Sequence, residues 1–158
     1  MNYVIDLQVA CEDPLPVTEA ALVSFAELPL KAHREKAELT LRLVSAEEMI
    51  DLNSTYRKQQ KTTNVLAFPA NLPAAIAMDY PLLGDVIVCP AVLLAESQAL
   101  NKALDFHWAH IVIHGVLHLL GFDHMEEEEA RLMQAQEIRL LAELGFTNPY
   151  LDEDNHLE

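Results

Sequence analysis

The run His114-Gly115-Val116-Leu117-His118-Leu119-Leu120-Gly121-Phe122-Asp123-His124 constrains this chain more than any other stretch. His114 and His118 stand at i and i+4, so on a helix they lie one turn apart on the same face and can grip one ion. Gly121 is the residue type that ends a helix in the left-handed conformation. The chain can then turn back and deliver His124 to the same ion from outside the helix. Three imidazoles with no fourth protein ligand in the run match a catalytic zinc, which keeps a position open; a structural zinc is closed by four. The competing reading is a hydrogen-bonded cluster of core histidines, and the glycine stop with a third histidine behind it disfavours that.

His107 and His110 precede the pair on the same helix. Residues 110 and 118 are eight apart, which is roughly 12 Å along a helix axis. One ion with ligand bonds of about 2 Å does not comfortably take 110, 114 and 118 together. His124 follows the carboxyl end of the helix and reaches the 114/118 pair more easily. The expected ligands of one zinc are therefore His114, His118 and His124. His107 and His110 are expected to sit in the core or to support the ligands from behind.

A zinc held by three histidines lowers the pKa of its bound water from about 16 to about 7, which supports hydrolysis of an ester, an amide or a phosphodiester. Zinc peptidases of the HExxH type place a glutamate after the first histidine as general base. Here that position is Gly115, and no other acid in the run replaces it. Asp123, next to a ligand, is expected to orient one of the histidines.

The rest of the chain suits a soluble fold around this run. At 158 residues, with 51% hydrophobic and 22% charged residues, it can bury one core and is not disordered. The segment 1–150 reads as one zinc-dependent hydrolase domain, and 151–158 as an acidic flexible tail. The start MNYVIDLQVA lacks a basic, cleavable leader, and no apolar run is long enough to span a bilayer. Cys11 and Cys89 have no CxxC spacing and read as buried small hydrophobes. A cytoplasmic protein without membrane partners is expected. The net charge of −15 argues against non-specific nucleic-acid binding, and no DNA partner is expected. The charge is uneven. Between Leu52 and Met78 the only charged residues are Arg57, Lys58 and Lys61, whereas from Phe122 onward eleven acids face two arginines.

Apolar alternation predicts strands over 3–10, 39–44 and 64–69, and an apolar run predicts a buried strand over 84–89. Thr18 is expected to cap a helix carrying Leu22, Phe25 and Leu28, with a connection from Pro29 to Lys36. Ser45 and Glu48 form a capping-box pattern for a helix that should bury Met49, Leu52 and Tyr56. Arg57 to Thr63 reads as a loop, and 70–81 as a mobile one. Pro90 suits the first turn of a helix to about Leu100, and Asp105 the cap of the histidine helix. The last helix, about 126–144, should turn Ala130, Met133, Leu140, Leu141 and Leu144 to the core. The fold class is α/β (α+β): a four-stranded, mostly mixed sheet packed with about five helices.

The histidine run, with Asn53-Ser54-Thr55-Tyr56-Arg57 and Thr63-Asn64-Val65-Leu66-Ala67-Phe68-Pro69, resembles the bacterial rRNA maturation factor family YbeY. Leu83-Gly84-Asp85, His107-Trp108-Ala109-His110 and Pro149-Tyr150 extend the resemblance over nearly the whole chain. It implies a single-strand-specific zinc endoribonuclease acting in maturation of the 16S rRNA 3′ end and in ribosome quality control. It implies His114, His118 and His124 as zinc ligands and Arg57 as a residue needed for activity. The implied partners are single-stranded RNA, rRNA precursors, and the ribosome or its small-subunit proteins. The chain departs from the family at Lys58-Gln59-Gln60, Thr62-Thr63 and Ala67. Two alternatives stand beside this one: a ribosome-assembly factor with a mainly structural zinc, and a zinc hydrolase of another class such as a peptidase.

Overall fold

The computed structural model describes residues 2–59, 61–70, 72–73 and 81–150. Most of the expected 70–81 loop, and the acidic tail, lie outside the described residues. The first strand, β1 (Tyr3–Ala10), forms where the alternation places it, with Ile5 and Leu7 turned to the core. Helix α1 (Glu19–His33) starts at Thr18, whose hydroxyl accepts from the Ala21 N–H at 3.0 Å. It continues through Pro29, where the sequence suggested a connection. Pro29 and Leu30 are both buried, and the Arg34 N–H closes the last turn on the Leu30 carbonyl at 2.8 Å. Packing of this turn outweighs the penalty of about 3 kcal/mol for an interior proline.

Strand β2 (Ala37–Val44) begins two residues before the expected start and pairs in parallel with β1, Leu41 opposite Leu7. Helix α2 (Ala46–Arg57) opens on Ser45, which accepts from the Glu48 N–H at 3.2 Å. Glu48 turns its carboxylate to Arg42 of β2, whose Nε donates at 3.0 Å, rather than reaching back to the cap. Two expectations for α2 fail at its end. Arg57 belongs to the helix, not to a loop, and Tyr56 is 63% exposed with its ring beside that of Phe68. The buried position goes to Asn53, whose Nδ2 donates to the Lys61 carbonyl at 2.9 Å and fastens the basic turn to the helix.

Strands β3 (Val65–Pro69) and β4 (Leu82–Val88) are antiparallel, and β4 lies parallel to β2. The order β1-β2-β4-β3 gives the expected four-stranded mixed sheet. Three more helices follow: α3 (Pro90–Leu100), α4 (Leu104–Leu119) and α5 (Glu127–Glu143). Asp105 is not the cap of α4, whose cap position falls two residues earlier, on Ala103. Asp105 instead sits in the first turn, where its charge suits the positive end of the helix.

Both faces of the sheet are covered. Leu39, Leu41, Leu43, Val86 and Val88 pack beneath α1 and α4, while Val44, Leu66 and Ile87 pack against Met49 of α2. Val86, Ile87 and Val88 of β4 alternate between these two cores, which is why that end of the strand is apolar without a break. Cys89 is buried and Cys11 only half-buried; neither is in a disulfide. Among the described residues no helix is long and apolar enough to cross a membrane.

One contact positions the site. A Cβ at Gly115 would lie 2.7 Å from Val86 Cγ1 and 3.1 Å from Val65 Cγ2. The missing side chain lets α4 settle onto β3 and β4, so its histidines come to stand beside the edge strand.

Candidate metal centre

Helix α4 ends in a Schellman motif: the Gly121 N–H donates to the His118 carbonyl at 3.1 Å and the Phe122 N–H to the Leu117 carbonyl at 3.0 Å. Gly121 has φ +104°, a value that L side chains rarely adopt. The reversal returns His124 to the helix face that carries His114 and His118. The ring centroids form a triangle, 4.7 Å from His114 to His118, 5.0 Å from His118 to His124 and 5.6 Å from His114 to His124. One nitrogen from each ring lies within 4.8 Å of the other two.

The spacing fits a small tetrahedral ion. Nε2 of His114 and Nε2 of His118 are 3.2 Å apart. Two ligands at about 2.0–2.1 Å in tetrahedral arrangement are separated by roughly 3.3 Å. His114 is also set in the right tautomer, because its Nδ1 donates to Glu137 Oε2 at 2.6 Å and leaves Nε2 with a free lone pair.

Glu137 was not found from the sequence. It comes from α5, is 1% exposed, and accepts at Oε1 from His110 Nε2 at 3.0 Å and from the Tyr150 hydroxyl. Burial pushes its carboxyl upward, but the hydrogen bonds from His110 and His114 outweigh that and hold it down at about 2. An ionised carboxylate without solvent therefore sits behind the three histidines. The available signal was an acid in the apolar stripe of α5, between Met133 and Leu140. His110 takes the supporting place expected of it. His107 belongs to a separate pair, its Nε2 donating to Glu96 Oε1 at 2.9 Å. Asp123 does not orient an imidazole: its Oδ1 accepts from the backbone N–H of His124 at 2.7 Å and so shapes the turn. Burial, followed by the neighbouring rings of His114 and His124, lowers the pKa of His118, which favours the neutral form a ligand needs.

The triad opens into a cavity of about 460 Å³ whose other wall carries Arg57 and the β3 residues Val65, Ala67 and Pro69. Arg57 is exposed and has no carboxylate partner among the described residues. Four residues singled out in the sequence thus meet in one place. Gly115 also lines this cavity, but a side chain there would run into the sheet.

The profile of the family Endoribonuclease YbeY matches residues 15–145. The chain belongs to the YbeY family. An Endoribonuclease YbeY from Legionella pneumophila is 58% identical over all of both chains. One from Psychromonas ingrahamii is 48% identical, covering 97% of this chain and 99% of its own length. The solution structure of TM1509 from Thermotoga maritima superposes with a TM-score of 0.62 at 26% identity, covering 87% of this chain and 88% of that one. The α/β fold of this YbeY-family chain is therefore shared with a solved structure.

Proposed function

We propose that the protein is a zinc-dependent endoribonuclease of single-stranded RNA, with His114, His118 and His124 as ligands and Arg57 meeting the scissile phosphate. The observation that carries this reading is the meeting of three imidazoles and an exposed guanidinium on one cavity. Three neutral imidazoles form a donor set that suits zinc. When bound, zinc supplies Lewis acidity and an ionised water near neutral pH. The protein's own residues do the rest. Glu137 keeps the proton on Nδ1 of His114, and its burial keeps water from competing for that bond. Arg57 has the planar fork to contact two phosphate oxygens and to stabilise the charge that develops on them.

The RNA is an rRNA precursor, processed near the 3′ end of 16S rRNA in the cytoplasm, with a further role in ribosome quality control. A chain of net charge −15 has little pull on free RNA, which supports delivery of the substrate by the ribosome or a small-subunit protein. The same charge favours the second reading, an assembly factor whose zinc is structural. Peptide hydrolysis is the poorer fit, since the position of the peptidase base is Gly115 against the sheet.

The deciding experiment is cleavage of a single-stranded RNA with and without zinc, comparing the parent protein with His114→Ala. The variant should lose both metal and cleavage. Cleavage that persists in His114→Ala, or in zinc-free parent protein, would remove the zinc-dependent reading, and a zinc-loaded parent protein that does not cleave would favour the assembly factor. Elemental analysis should also find zinc lost from His124→Ala and retained at stoichiometric loading in His110→Ala; equal retention in both would refute the ligand assignment.

A further inference from the structure

We infer that Tyr150 is a positioning residue for the metal centre: its hydroxyl and His110 clamp Glu137 so that this carboxylate holds His114 in its ligand orientation. This rests on the zinc reading above and extends it to a residue on none of the ligand-bearing segments.

The two oxygens of Glu137 have separate partners. Oε2 takes Nδ1 of His114 at 2.6 Å, and Oε1 takes Nε2 of His110 at 3.0 Å together with the Tyr150 hydroxyl. The terminal torsion of a glutamate is broad and twofold, so one bond to His114 would not fix the plane of the carboxylate. Two donors on the other oxygen do fix it, and burial leaves no solvent to take their place.

Tyr150 is itself well placed. Beyond α5 the Phe146 N–H donates back to the Leu141 carbonyl, so the chain folds back on the helix end. Pro149 is buried, and the Tyr150 N–H donates to Asn148 Oδ1 at 2.8 Å. The tyrosine ring then stands edge-on to His110, with centroids 5.5 Å apart and planes at 89°. The ring packs against one clamp member while its hydroxyl reaches the carboxylate. If packing were its whole role, the ring alone would suffice; the clamp needs the oxygen.

Tyr150→Phe separates the two. Zinc affinity of the full chain is measured by competition with a chromophoric chelator, alongside the melting temperature of metal-free protein. Glu137→Gln should weaken zinc binding about 10- to 100-fold, and Tyr150→Phe, one bond further out, roughly three- to tenfold. The melting temperature of metal-free Tyr150→Phe should stay near that of the parent. In the double variant the losses should not add, because both act through one carboxylate. Unchanged zinc affinity in Tyr150→Phe would overturn the clamp, as would full additivity. If Glu137→Gln does not fold, the Tyr150→Phe affinity decides alone. A parent protein without zinc affinity would overturn the zinc reading and the clamp together, and is distinguishable because the parent, not the variant, fails.

Discussion

On the histidine wall of the cavity a buried carboxylate collects three donors and fixes the ring of His114, whereas on the opposite wall Arg57 ends a helix in an exposed basic turn. The first wall is anchored on Glu137, which is 1% exposed, so a hydrogen bond lost there leaves an unsatisfied buried group. The second is held at its base, by Asn53 Nδ2 on the Lys61 carbonyl and by the Gln59 N–H on the Asn53 carbonyl, and leaves Arg57 and Lys58 exposed. An ion needs ligands placed within tenths of an ångström, while a strand of RNA must enter and leave. The difference in burial matches those two demands.

Arg57→Ala tests the comparison most severely. It should leave zinc content and melting temperature nearly unchanged, yet lower cleavage of single-stranded RNA by roughly two to three orders of magnitude. Arg57→Lys should recover only part, since an ammonium cannot make the forked contact. Undiminished cleavage by Arg57→Ala would mean that the solvated wall has no part in the chemistry.

Chelation probes the other wall. The three histidines join the end of α4 to the turn before α5, so if they hold zinc its removal should lower the melting temperature, with about 2.7 kcal/mol lost relative to a hundredfold excess of zinc over Kd. An identical melting curve would show that the protein framework gains no stability from the ion.

A smaller effect is expected at the seam between the walls. Gly115→Ala forces a methyl against Val86 and Val65. Overpacking costs about 1–3 kcal/mol and helix propensity returns about 1, so a net loss of up to about 2 kcal/mol should appear in denaturant unfolding. A gain in stability would mean that α4 can move off the sheet freely. The smallest effects belong to Lys58→Ala and Lys61→Ala, each lowering the slope of log affinity against log salt by about 0.7 or less on single-stranded RNA. No change in slope would place these lysines away from the RNA.

Much of this was legible in the chain because it depends on residues close in sequence. The i, i+4 pair His114/His118, the Gly121 reversal and the strand alternation at 3–10 report backbone geometry within a turn or two, and the structure follows them. Local signals misled where packing overruled them: Pro29 stays inside α1 because its turn is buried, and Tyr56 is outside because Asn53 holds the inner position. The role proposed for Arg57 came from family resemblance, since an arginine in a polar segment looks the same on any surface.

What the sequence by itself determined is the grouping of His114, His118 and His124 and the α/β frame that presents them. What only the tertiary structure decided is their support: Glu137 lies 23 residues from His114 and 27 from His110, and Tyr150 lies 40 from His110. No periodicity reaches that far. Those partners meet because α5 lays its buried face on α4 and the chain beyond it folds back, and only packing of the two helices brings one carboxylate under both histidines.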